Sequence, residues 1–175
     1  TASIGDSFEV YGYAPSNYVE ILMISPKGGD GTGIGGLFGT TIYTVHTFCD
    51  HADYNFYKKI DVSRDADYGN YTIIVLTPGC DKTYGNTEYT FIDSILDLDG
   101  EGQELGVLDV SQMTQEEIVA LIDDIIYATG GDDYMKVGNI VVTQLETSDT
   151  GGGVFQAFLE HTRGIRDKWR NIIFK

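Results

Sequence analysis

The segment Tyr18 to Ser25, YVEILMIS, is apolar at nearly every position through its centre, so it reads as a central strand of a sheet. Pro26 stops it. Around it lie further segments of strand pattern. Ser7 to Ala14 alternates, with Phe8 and Val10 on one face and Glu9, Tyr11 and Tyr13 on the other. Thr41 to Cys49 is β-branched and aromatic, Tyr54 to Val62 alternates, and Asn70 to Thr77 is a buried strand ended by Pro78-Gly79. Between them stand Gly, Pro and Asn, including Lys27 to Gly39 with seven glycines in 13 residues, which reads as a loop. Short strands at this spacing predict a mainly β chain with some α, an Ig-like β-sandwich.

One helix is expected against that sandwich. Thr114 to Ala128 opens with a capping box of Thr114 and Glu117, places Ile118, Leu121, Ile122, Ile125 and Ile126 on one face, and ends at Gly130-Gly131. Glu88 to Leu98 is ambiguous between strand and helix, and Lys136 to Leu145 returns to strand. Residues 1–147 form the predicted body, and 148–153 read as a Gly-rich linker. Residues 154–175 read as a basic amphipathic helical extension, with apolar residues at three- and four-residue steps weakened by Gly164.

The charge separates these parts. Of a net −16, residues 154–175 carry +3 and residues 1–153 carry −19. Such acidity disfavours nucleic acid and anionic membrane surfaces. No apolar run approaches the roughly 20 residues of a transmembrane helix. At 175 residues the chain buries roughly 70% of its unfolded surface, so its core needs no metal. Many Tyr and Gly with few Lys suit an exported protein, and the start at Thr1 fits a removed signal peptide.

In that compartment Cys49 and Cys80 are expected to form a disulfide, within or between chains. His46, Cys49, Asp50 and His51 offer metal ligands, but on a strand His46 and Cys49 point to opposite faces. A Cys–His hydrolase would need that cysteine free. Asp97, Asp99 and Glu101 alternate as in the opening of a calcium loop, with Gly102 at the turn; the twelfth position is Leu108, and Asp109 follows one residue late. Calcium is the candidate ion there. Asn70-Tyr71-Thr72 is an N-glycosylation sequon. Lys27 to Gly39 lacks the phosphate-loop lysine, and no GxSxG elbow is present.

The tail is the candidate self-assembly element. Phe155, Phe158, Leu159, Trp169 and Ile172 supply an apolar stripe, and Arg163, Arg166 and Arg170 supply charge opposite to that of the body. Such a stripe must be covered, by its own body or by a neighbour.

Residues 5–14 (GDSFEVYGYA), Val19 to Ile24, residues 69–79 (GNYTIIVLTPG) and Asp132 to Val137 (DDYMKV) together resemble the β-sandwich modules of secreted surface-layer and sheath proteins of methanogenic archaea. The resemblance covers about residues 4 to 147. It implies an exported, non-enzymatic, self-associating component of the cell envelope, a homopolymer lattice, sheath or tube with no catalytic residues. A secreted binding module for carbohydrate or another surface protein is the alternative, motivated by the tyrosines and the Gly-rich loop. A small secreted hydrolase is the third reading.

Overall fold

The computed structural model describes residues 1–14, 16, 18–37, 40–46, 55–102, 106–127, 132–144 and 173–174. Its elements in chain order are β1 (Ala2–Ser3), β2 (Ser7–Tyr13), β3 (Tyr18–Ile24), β4 (Thr41–His46), β5 (Asn55–Asp61), β6 (Gly69–Thr77), a 3-10 turn (Ile92–Ser94), β7 (Leu96–Asp97), β8 (Leu108–Asp109), α1 (Gln115–Tyr127), β9 (Tyr134–Thr143) and β10 (Ile173–Phe174). The chain is mainly β, with one α-helix among the described residues.

Five strands form one sheet in the order β1-β9-β6-β3-β4, and three form another, β10-β2-β5. The long pairs β3–β6 and β6–β9 are antiparallel, while β1 joins β9 in parallel. The two sheets share a core. Phe8 and Val10 of β2, with Phe56 and Ile60 of β5, meet Val19, Ile21 and Met23 of β3 and Tyr71, Ile73 and Val75 of β6. The segment between β1 and β2 joins the sheets at one side: Ile4 N–H donates to Thr143 in the large sheet, and Gly5 N–H donates to Val62 beside the small one.

The large sheet is covered on its other face as well, which explains the apolar run of β3. Leu22 and Ile24 of β3 and Ile74 and Leu76 of β6 face a second core of Ile118, Ile122 and Ile126 from α1, with Tyr84, Ile92, Ile95, Leu96 and Val110 from the surrounding loops. Each such isoleucine contributes roughly 1.5–3 kcal/mol by leaving water. The capping box forms as expected. Thr114 N–H donates to Glu117 Oε2 at 2.8 Å, and Glu117 N–H donates to Thr114 Oγ1 at 3.2 Å. The Gln115 side-chain amide then ties the helix start to the carbonyls of Ile24, Ser25 and Asn70.

Over its described residues, 27–37, the Gly-rich segment is built in rather than loose. Asp67 Oδ2 accepts Thr32 N–H at 2.7 Å and the Ser25 hydroxyl at 3.0 Å, and Lys27 pairs with Asp67 Oδ1 at 2.5 Å. Gly29 N–H donates to Met113, and a Cβ at Gly29 would stand 1.9 Å from the Val110 carbonyl oxygen. The ambiguous stretch Glu88 to Leu98 resolves into the 3-10 turn and β7, too short for either expected element.

Candidate functional site

The expected calcium loop has its turn, held by hydrogen bonds from its own backbone. Asp97 is buried in β7, where Oδ1 accepts Gly100 N–H at 2.9 Å and Oδ2 accepts Gly102 N–H at 3.2 Å. Gly100 and Gly102 take φ of 71° and 66°, which orients those donors inward. Asp99 accepts Glu101 N–H. Asp109, opposite Asp97 in the parallel pair β7–β8, accepts both the hydroxyl and the N–H of Ser111, which hold its carboxyl below the usual range. Asp97, Asp99 and Asp109 thus each accept local hydrogen bonds that shape the turn. Among the described residues, the one set of three carboxylates with oxygens all within 4.8 Å of one another is Asp81, Asp132 and Asp133.

That trio lies where β6 ends and β9 begins, next to the register pair Thr77–Tyr134. Asp81 and Asp132 are exposed and Asp133 is buried. Each is fixed by one backbone N–H: Thr83 on Asp81 Oδ1 at 2.9 Å, Cys80 on Asp132 Oδ2 at 2.7 Å, and Gly85 on Asp133 Oδ2 at 2.6 Å. Sequence reasoning missed it because Asp81 lies far along the chain from the Asp132-Asp133 pair. Cys80 carries a free, exposed thiol, pushed up in pKa by Asp132 as acceptor and as charge. Its expected disulfide partner Cys49 lies outside the described residues, as do Asp50 and His51.

Glu20 is the one charged side chain of β3, fully buried on the face toward α1. Ile92 N–H donates to its Oε2 at 2.8 Å. Its Oε1 and the Tyr84 hydroxyl are both buried, and the hydroxyl interacts with this carboxyl without reaching full hydrogen-bond geometry. Burial pushes this carboxyl up to about 7, opposed by the Ile92 N–H and the Tyr84 hydroxyl, with Asp93 adding to the rise. Phe91 stacks on Tyr18 at 5.1 Å, so this loop is seated on β3 at two consecutive residues. The lone Glu within YVEILMIS was the available signal.

Asn70 is exposed at the start of β6, with its backbone paired to Val141. The outer face of the small sheet carries Tyr11 and Tyr57 directly opposite each other, Tyr13 beside them, and a hydrogen bond from the Tyr57 hydroxyl to Glu9 at 2.8 Å.

Of the candidate assembly residues, Phe155, Phe158, Leu159, Arg163, Arg166, Trp169, Arg170 and Ile172 all lie outside the described residues. The described part of the extension corrects the expected helix. Ile173 and Phe174 are a strand, β10, antiparallel to β2 with Ile173 opposite Tyr11 and Phe174 opposite Val10. Two β-favouring residues there meet an otherwise open strand edge, whose ladder hydrogen bonds favour strand over helix at these two positions.

No family model matches the chain, and neither a curated protein nor a solved structure shows detectable similarity to it. No helix among the described residues is long and apolar enough to cross a membrane.

Proposed function

We propose that this chain is a non-enzymatic structural subunit of an extracellular lattice, sheath or tube of the cell envelope, assembled from copies of itself. The observation that carries the reading is the pairing of β10 with the edge of β2. Adding a strand to a sheet edge is a general mode of protein association, because main-chain hydrogen bonds need no special sequence. β10 reaches that edge through a long covalent connection, residues 144–172. A segment of that length spans at most roughly 90–100 Å when fully extended, enough to deliver the strand to a neighbouring body. The same contacts then join two copies.

Charge favours the exchange. A tail of +3 is drawn to a body of −19, while bodies repel each other without it. Tail-to-body docking is heterologous, so it propagates into a ring or filament. The resemblance of residues 5–14 and 69–79 to envelope modules supports the same reading.

The test compares the full chain with one ending at Thr150, by sedimentation and electron microscopy. The expected result is that the shortened chain is folded and monomeric and captures a peptide of residues 154–175. Assembly of the shortened chain like that of the full one overturns the proposal, as does its failure to fold.

The second reading, a binding module for carbohydrate or another surface protein, draws on the outward tyrosines, with Tyr13 39% and Tyr57 56% exposed. Chemical-shift changes confined to Tyr11, Tyr13 and Tyr57 on titration with oligosaccharide would favour it.

A further inference from the structure

We infer that Asp81, Asp132 and Asp133 form a binding site for a hard divalent cation, calcium, that clamps the loop after β6 to the start of β9. The inference stands apart from the assembly reading. Three carboxylates within 4.8 Å of one another repel strongly unless something positive lies between them. Among the described residues the single ion pair is Lys27 with Asp67, so no lysine or arginine serves that role at the trio.

The second observation is Asp133 itself. It is 6% exposed, and its Oδ1 is buried without a hydrogen-bond partner while Oδ2 is satisfied by Gly85 N–H. A buried carboxylate oxygen left without a donor is costly, and native structures supply one or a metal. Asp81 and Asp132 lie at the surface, each with one oxygen oriented by a backbone N–H, and Asp132 also accepts from the Cys80 thiol, whose exposed S–H an ion can displace. The N–H groups orient the carboxylates, and one oxygen from each comes within 4.8 Å of the other two.

The donor set selects the ion. Three hard oxygens, two of them on exposed residues with room for water, suit calcium, which takes 6–8 oxygens at about 2.3–2.6 Å. Bound there, it would link Asp81, on the chain leaving β6, to Asp132 and Asp133, on the chain entering β9.

The experiment is calorimetric titration of the chelator-treated full chain with calcium chloride, with melting curves in parallel. Asp81→Asn/Asp132→Asn is the main variant, because both residues are exposed and the change keeps their shape. Expected is single-site binding to the wild type and a rise in Tm of roughly 5–10 °C at calcium a hundredfold above Kd, both lost in the variant. Asp97→Asn/Asp99→Asn should retain both. No binding, or binding that survives in Asp81→Asn/Asp132→Asn, overturns the site. Tight zinc binding abolished by Cys80→Ser, with no calcium effect, also overturns it, since it assigns the locus to the thiolate.

Discussion

The Glu20 carboxyl in β3 accepts the backbone N–H of Ile92 at 2.8 Å, across 72 positions of sequence, with no solvent on either partner. This contact fixes the 3-10 turn to β3 of the large sheet. It also makes the sheet sensitive to pH, because burial and the Asp93 charge raise this carboxyl's pKa, the Ile92 N–H and the Tyr84 hydroxyl only partly oppose them, and no cation contributes.

The sign follows from the raised pKa. Glu20 ionises near 4.5 in the unfolded chain and at about 7 in the folded one, so the folded state holds its proton more tightly. Its contribution is full below about pH 4.5 and is lost as pH rises to about 7, amounting to about 3 kcal/mol. Glu20→Gln keeps an acceptor for Ile92 N–H and carries no charge. Denaturant melts at pH 5 and pH 8 should show a smaller drop in stability for the variant than for the wild type. Equal drops would place the pH dependence elsewhere.

Asp67 behaves in the opposite sense. Burial pushes its carboxyl up, but Lys27, Thr32 N–H and Ser25 together hold it below the ordinary value. Its contribution is therefore present above the unfolded pKa and fades as pH falls through the folded one. Asp67→Ala orphans the Thr32 N–H and the Ser25 hydroxyl and is expected to cost about 2 kcal/mol near neutral pH. Lys27→Ala, which removes only an exposed partner, should cost less than about 1 kcal/mol.

The glycines of the segment from Lys27 to Gly39 divide into two kinds. A Cβ at Gly35 would meet the Tyr43 hydroxyl at an ordinary 3.6 Å, whereas one at Gly29 would collide with the Val110 carbonyl. Gly35→Ala should leave Tm within about 2 °C of wild type, and Gly29→Ala should lower it by several times that. Similar shifts for both would show that the segment is not seated against residues 110–113.

Ile122 sits fully buried between α1 and the large sheet. Ile122→Ala is expected to cost about 2–5 kcal/mol, with the same denaturant slope. A loss below about 1 kcal/mol would mean that the helix layer contributes little to the body.

Much of this architecture was legible because its signals are local. The alternation of Ser7 to Tyr13, the apolar run of β3 and the box at Thr114–Glu117 each occupy a few consecutive residues, and each appears within a residue or two of its expected place. What escaped is non-local or too short to carry a pattern. β1, β8 and β10 have two residues each. Tyr84 lies among Lys, Thr, Gly and Asn yet is fully buried, because the second core recruits it across the fold. The spacing of Asp97, Asp99 and Glu101 marks a turn whose carboxylates accept backbone N–H groups, but spacing alone does not say whether an ion binds there too. The convergence of Asp81 on Asp132 and Asp133 depends on β6 and β9 lying side by side, which no single stretch encodes.

The pair β3–β6 has a strand on each flank and a packed core above and below. Its amide protons therefore meet solvent only when the entire body comes apart. Their exchange lifetime is a gauge of how often one molecule unravels. In a wall built of such molecules, that slow clock would set how long each brick endures before it needs replacing.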